Sequence, residues 1–162
     1  MRIAIFIDGR NLFYAQKEMG WQIDYRKLLE YFAQGNELIH AFYFTATPPF
    51  NDTRSLVAYR KFKKFLIHSG YTVVDKDTKL IQGRPKGNLD IEMTMYMITT
   101  VPHYDRVIFL SGDGDFVPVI DYLIKLGKLV TCVSLRRRTA LELINICSEF
   151  IDIESLRDKV EK

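Results

Sequence analysis

The sequence predicts an α/β fold: a three-layer α/β/α sandwich around a mostly parallel central sheet. Short apolar runs such as Ile3–Ile7 and Val107–Leu110 have the length and continuous hydrophobicity of buried parallel strands. Helical patterns of about ten residues or more separate these runs, as the crossover connections of a parallel sheet require. The 162 residues, 48% of them hydrophobic, suffice for a single domain over residues 1–162 with a sizeable core.

Six runs predict strands because they are apolar or rich in β-branched and aromatic residues. In chain order they are Ile3–Ile7, Glu37–Thr45, Tyr71–Val74, Arg106–Leu110, Lys128–Val133 and a short edge strand at Glu149–Ile153. Between the third and fourth runs, the polar and basic stretch Asp75–Gly87 predicts a loop or a small hairpin.

Helices fill the intervals, and several of them have a recognisable start or stop signal. Asp24, Thr53 and Asp115 are expected N-caps, because their side-chain oxygens can accept from free N–H groups of a first turn. Glycines and Pro102 end several of the helical patterns. The expected helices are Asn11–Met19, Asp24–Ala33, Thr53–Ser69, one from Asn88 or Leu89 to Val101, Phe116–Leu126, Thr139–Cys147 and a charged tail after Glu154.

Aspartates follow two of the predicted strands at the point where each strand ends. Asp8 comes directly after Ile3–Ile7, and Asp113 and Asp115 share the turn that follows Arg106–Leu110. Open α/β sheets bind ligands at the carboxyl ends of their strands. If the two strands are neighbours, the three carboxylates converge there, although each aspartate alone would equally suit a turn or a helix cap.

The helix that begins at Asn88 or Leu89 adds further carboxylates. It is apolar around most of its circumference, which predicts that it is largely buried. Asp90 and Glu92 would then be charges near a buried helix end, where they are costly unless they are paired or bound to a metal. Asp90 becomes the fourth member of the expected acidic cluster, and Glu92 a supporting residue.

Four clustered carboxylates repel one another, and a hard divalent cation would offset that repulsion. An all-oxygen ligand set favours Mg²⁺ or Mn²⁺ over zinc. The histidines are scattered along the sequence without ligand spacing, and the two cysteines are interpreted as buried free thiols. Such a centre suits phosphodiester hydrolysis. Asn11 and Ser111 could orient ligands or water, or serve only as a cap and a turn hydroxyl.

The net charge is +3. Because the expected site gathers carboxylates, the rest of the surface must be more basic than this total indicates. Arg84 and Lys86 precede the Asp90 helix, and Arg136, Arg137 and Arg138 precede another helix, where positive charge opposes the helix dipole. These five residues are candidate phosphate contacts. The cations on the Thr53 helix are interpreted as a solvated face, and exposed aromatic residues could stack on unpaired bases.

The composition argues against a membrane-spanning or secreted protein. No apolar run approaches the ~20 residues of a membrane span, and the N-terminal residues lack the apolar core of a secretory signal, so a cytoplasmic protein is expected. A membrane partner is not expected, whereas a homodimer or a protein partner is left open.

Three blocks resemble the NYN domain: Ile7–Leu12, Lys86–Asp90 and Ser111–Pro118. The similarity is closest to the LabA-like branch of that family, which is related to PIN-type nucleases. The resemblance implies a PIN-like, Rossmann-like fold and a metal-dependent ribonuclease-type site that acts on RNA. The residues it implies are Asp8, Asn11, Asp90, Asp113 and Asp115. Many relatives have a further aspartate where this chain has Tyr96.

Two other functions remain open at this point. The first is a regulatory RNA-binding module of the same fold with weak or no catalysis, which the tyrosine at position 96 would suit. The second is a phosphatase of the haloacid dehalogenase type, but that chemistry needs a second aspartate two residues after the nucleophile. Asp8 is followed by Gly9 and Arg10, so the chain lacks that signature.

Overall fold

The computed structural model describes residues 1–81, 84–86 and 88–162. The strands are β1 Arg2–Asp8, β2 Glu37–Thr47, β3 Thr72–Asp77, β4 Lys79–Ile81, β5 Arg84–Lys86, β6 Arg106–Leu110, β7 Leu129–Ser134 and β8 Glu149–Asp152. The α-helices are α1 Gly9–Met19, α2 Tyr25–Ala33, α3 Thr53–Ser69, α4 Asp90–Thr99, α5 Val117–Lys125, α6 Leu141–Ile146 and α7 Arg157–Val160. The predicted α/β fold class is confirmed.

One six-stranded sheet organises the molecule, in the order β3-β2-β1-β6-β7-β8. Every neighbouring pair in it is parallel, so all six strands end at the same edge. The chain moves outward from β1 in one direction through β2 and β3, and in the other through β6, β7 and β8. The strand order therefore reverses between β1 and β6, and open α/β sheets bind their ligands at such a switch point.

Alternating side chains of the central strands build two apolar layers. Ile3, Ile5 and Ile7 of β1 pack in one cluster with residues of α1, α2, α3 and α7. Ala4 and Phe6 point to the other face, where residues of α4, α5 and α6 cover them. Because both faces are covered, the strand is buried along most of its length, which explains its unbroken apolar sequence.

Two of the three expected N-caps differ from the prediction. The side chain of Asp52, not Thr53, caps α3 by accepting from the Ser55 N–H at 3.1 Å. Likewise Asp113, not Asp115, provides the cap after β6, where it begins a 3-10 turn that leads into α5. In both cases the capping oxygen belongs to an aspartate that lies one or two positions before the expected residue. Sequence spacing alone does not distinguish between two such nearby candidates.

Helix α4 is less buried than its composition predicts. Met93 and Met97 are in the core, but Ile91 is 77% exposed and Met95 53% exposed. The expectation of a largely buried helix was therefore wrong, because only one face of α4 packs on the sheet. The adjoining stretch 75–87 contains the antiparallel pair β4 and β5, in agreement with the alternative of a small hairpin.

The histidines and cysteines also lie closer together than their sequence positions indicate. The ring nitrogens of His40 and His103 are 2.9 Å apart, at the end of the sheet opposite the carboxyl ends. Burial, and secondarily His103, lowers the pKa of His40. Both cysteines are free, and a hydrogen bond to Cys147, together with burial, raises the pKa of Cys132. Within the described ranges, the helices are too short or too polar to cross a bilayer.

Candidate metal centre

Asp8 occupies the last position of β1 and turns the chain into α1. One carboxylate oxygen accepts from the Asn11 N–H at 3.2 Å, so the side chain caps the helix. The other oxygen accepts from the Ser111 hydroxyl at 2.8 Å, across the switch point. Burial is the main cause of a raised pKa at Asp8, which these two hydrogen bonds oppose.

The turn after β6 is tied to α1 by a second bridge. The Asn11 side-chain oxygen accepts from the Gly112 N–H at 3.1 Å, and the Ser111 hydroxyl oxygen accepts from the Asp113 N–H at 3.2 Å. A Cβ atom at Gly112 would stand 2.5 Å from the Arg138 carbonyl oxygen, so only glycine fits between the two turns. The roles that sequence analysis left open for Asn11 and Ser111 therefore include holding this turn in place.

Asp90 begins α4 on the opposite side of the cavity from α1. Its N–H donates to the Asn88 side chain at 2.7 Å, which fixes the start of the helix. Burial raises the pKa of Asp90 to about 6, and the negative charges of the other three aspartates contribute further. The contributions of the other three aspartates to this pKa are consistent with the four carboxylates lying near one another.

Three of these carboxylates can serve one cation. Asp90, Asp113 and Asp115 each offer an oxygen, and the three oxygens lie within 4.8 Å of one another. Asp8 stands beside this acidic triad and lines the same cavity as Asp90 and Asp113. The donors are all oxygens on one wall of the crevice, which is the set that hard divalent cations prefer.

The cavity in front of the carboxylates has a volume of about 280 Å³. Besides aspartates, its walls contain the side chains of Arg10, Tyr14, Asn88 and Arg138. Sequence analysis had named only Arg138 of these as a site residue. The other three had available signals: Arg10 and Tyr14 follow Asp8 within two helical turns, and Asn88 lies two residues before Asp90.

Glu92 is not part of the acidic triad. Its carboxylate accepts from the Lys76 ammonium at 2.8 Å, and this ion pair lowers the pKa of Glu92. The pair connects α4 to the end of β3, so the contribution of Glu92 to the centre is to hold the Asp90 helix against the sheet. Tyr96, one and a half turns after Asp90, packs edge-on against Phe42 and Phe44.

The three arginines that follow β7 have different neighbours. Arg138 lines the cavity and donates to Glu18 at 3.3 Å. Arg137 pairs with Glu18 at 3.1 Å and with Glu154 at 3.5 Å, whereas Arg136 lies over the Phe150 ring. Only one of the three therefore reaches the centre. The side chains of Arg84 and Lys86 lie outside the described part of the structure, and their phosphate contacts stay a prediction.

Comparison with known proteins identifies the family of the chain. Residues 2–154 match the family model of the NYN domain. The chain is 38% identical over 170 residues to the low amplitude and bright protein LabA of Synechococcus elongatus, with 99% of this chain and 88% of the relative covered. A solved structure of a protein of unknown function from Vibrio parahaemolyticus has a TM-score of 0.84 at 27% identity, covering 99% of this chain and 96% of that one. The chain is thus a LabA-like member of the NYN domain family.

Proposed function

We propose that this protein is a metal-dependent ribonuclease that hydrolyses phosphodiester bonds in RNA. The observation that carries the proposal is the acidic triad, three carboxylate oxygens within 4.8 Å at the switch point of a parallel sheet. The NYN family has a PIN-like nuclease fold, and this supports a ribonuclease-type role over the phosphatase alternative. The choice of RNA as the substrate is part of this proposal.

Asp90, Asp113 and Asp115 would hold the cation, with Asp8 beside them. The donor chemistry fits Mg²⁺ or Mn²⁺, because all the ligand atoms are carboxylate oxygens and both cations accept such sets. Burial, and then the charges of Asp8, Asp113 and Asp115, raise the pKa of Asp90, and a bound cation would offset the part due to those charges. When bound, such an ion polarises a phosphate and lowers the pKa of an attacking water.

The protein's own residues supply the fixed geometry of the centre. Ser111 donates to Asp8 and accepts from the backbone of Asp113, so one hydroxyl joins two of the acidic positions. Asn11 holds the same turn through the N–H of Gly112. Because these contacts hold the Asp8 carboxylate and the backbone of the Asp113 turn before any ligand arrives, this part of the centre needs little reorganisation when a phosphate binds. Arg138, at the cavity wall, is placed to contact a phosphate oxygen.

A regulatory module that binds RNA without cleaving it is the second candidate. The observation that favours it is Tyr96, whose ring packs 5.1 Å from Phe42 and 5.4 Å from Phe44 at the position where many relatives have an aspartate. A carboxylate is thereby replaced by an apolar contact. This would weaken turnover more than it would weaken binding, because the triad and the cavity remain.

Cleavage of labelled single-stranded RNA by the pure protein tests the proposal, with Mn²⁺, Mg²⁺ or EDTA. We expect cleavage with either cation, none with EDTA, and none from Asp113→Asn, which removes a triad oxygen while leaving an isosteric side chain. Asp121→Asn is the matched control, because Asp121 lies on α5 and pairs with Lys125. Absence of cleavage by the wild type, or equal cleavage by Asp113→Asn, would favour the regulatory module.

A further inference from the structure

A groove of aromatic side chains continues from the acidic cavity along the carboxyl edge of β1, β2 and β3. It opens into a second cavity of about 540 Å³ between α1 and α3. The two cavities share Arg10, Tyr14, Thr45 and Ala46 in their walls, so they form one continuous depression. A third cavity of about 410 Å³ shares Thr47, Pro48, Tyr59 and Thr78 with the second and extends the groove along α3.

Among the rings that line the second cavity, two on α1 are exposed to solvent. Phe13 is 51% exposed and Tyr14 43% exposed, and their ring centroids are 5.5 Å apart in an edge-on arrangement. Both belong to α1, whose buried face uses Leu12 and Ala15 instead. Two adjacent exposed aromatic residues on one helix, facing a cavity next to an acidic centre, offer stacking surfaces for flat ligands.

The far side of the groove is basic. Helix α3 contains no acidic residue, and five cations lie along it: Arg54, Arg60, Lys61, Lys63 and Lys64. Lys63 pairs with Asp75, while the other four take part in none of the ion pairs between described residues and are exposed. Arg60 and Lys63 line the third cavity on the α3 side, and Asp75, the partner of Lys63, and Asp77 line it on the β3 side. The charge of this helix complements a polyanion, which gives its cations a further use beside that of a solvated face.

From these observations we infer that the groove between α1 and α3 is a binding subsite for an unpaired RNA segment that leads into the acidic centre. Bases stack on Tyr14 and Phe13, and the backbone phosphates pass along the cations of α3. The inference rests on the proposed function for the choice of RNA. It adds the reason for a preference for single strands, because a base must leave its duplex partner before it can enter a cavity and stack on a side chain.

RNA binding measured without cleavage tests the subsite separately from the ribonuclease proposal. The probe is a fluorescein-labelled single-stranded RNA of about 12 nucleotides, compared with a duplex of the same length, by fluorescence anisotropy of the full chain in EDTA. We expect tighter binding of the single strand by the wild type. Tyr14→Ala should raise its Kd roughly 5- to 150-fold, the loss of one base stack.

Three further variants sharpen the test. Tyr14→Phe keeps the ring and should bind within about twofold of wild type, and Phe13→Ala should weaken binding in the same direction as Tyr14→Ala. Tyr122→Ala is the matched control, since Tyr122 is a similarly exposed tyrosine on α5, outside the groove. Circular dichroism of each variant separates a lost contact from a lost fold.

The outcomes distinguish this inference from the proposed function. Weakened binding by Tyr14→Ala supports the subsite even if the wild type proves unable to cleave RNA. Equal binding by Tyr14→Ala and wild type overturns the subsite even if metal-dependent cleavage is observed. Duplex RNA bound as tightly as the single strand, or neither RNA bound, would also overturn it and leave the groove to a partner of another class.

Discussion

Replacing Asp90 with asparagine is expected to stabilise the metal-free protein at neutral pH. Burial and three neighbouring carboxylates raise the pKa of Asp90 to about 6 in the folded protein, from about 3.9 for an aspartate in an unfolded chain. Folding therefore favours its protonated form, so this carboxyl destabilises the fold progressively as the pH rises through its folded pKa. Asparagine keeps the shape of the side chain and removes the charge that burial and three neighbouring carboxylates oppose.

The size of the effect follows from the shift. A rise of about two pH units in the pKa of Asp90 lowers the free energy of unfolding by at most about 3 kcal/mol at neutral pH. Asp90 is only half-buried, so water screens part of this energy, and asparagine also loses about 0.3–1 kcal/mol of favourable interaction with the α4 dipole. A net gain of about 1–2 kcal/mol remains, which for a chain of this length raises Tm by roughly 2–8 °C.

Thermal unfolding in EDTA measures this gain in stability at about pH 7.5 and again at about pH 4.5. About two-thirds of the gain should be lost at the lower pH, because Asp90 is then mostly protonated in the folded state. Asp158→Asn is the control, because Asp158 lies in the first turn of α7, away from the acidic triad. Saturating Mn²⁺ should stabilise the wild type more than the variant. Equal Tm values for Asp90→Asn and wild type in EDTA at about pH 7.5 would refute the reasoning.

Three further variants, one of them a control, probe the contacts around the centre. Gly112→Ala should destabilise the protein by about 1–3 kcal/mol in urea unfolding, because the new methyl group meets the Arg138 carbonyl oxygen at 2.5 Å; an unchanged unfolding midpoint would contradict that contact. Arg138→Gln should reduce the slope of log Kd for single-stranded RNA against log salt by about 0.7, the effect of one phosphate contact. Arg136→Gln is the control and should leave the slope unchanged, since the Arg136 side chain lies over the Phe150 ring. A slope identical to that of wild type in both variants would show that Arg138 is not part of the RNA-binding surface.

The acidic centre could be anticipated because its residues follow from sheet geometry. Parallel strands end at one edge of the sheet, so Asp8 and Asp113 are close wherever β1 and β6 are neighbours. The sequence left that condition open, because the two strands are not consecutive in the chain. The same reasoning could not rank Asp113 above Asp115 as a cap. That choice depends on backbone angles within a five-residue turn, to which composition is insensitive.

The surface could not be anticipated in the same way. Glu18 neutralises part of the arginine run from a position 119 residues away from Arg137, and no local pattern encodes such a contact. Likewise, the apolar composition of α4 does not reveal that the sheet covers only one of its faces. Tyr14 reaches the cavity only because α1 begins directly at the end of β1, a detail of the connection between two elements.

The hydrogen bond between Ser111 and Asp8 has a consequence for the synthesis of the chain. Its two residues are 103 positions apart, and Asp90 comes from a third segment, the start of α4. A nascent chain that ends before β6 has β1 without the neighbour that completes the centre, since chains emerge and fold from the N-terminus. The cluster can therefore form only after the segment that contains Ser111, Asp113 and Asp115 has been made. Truncated products that stop short of that point contain no assembled acidic centre.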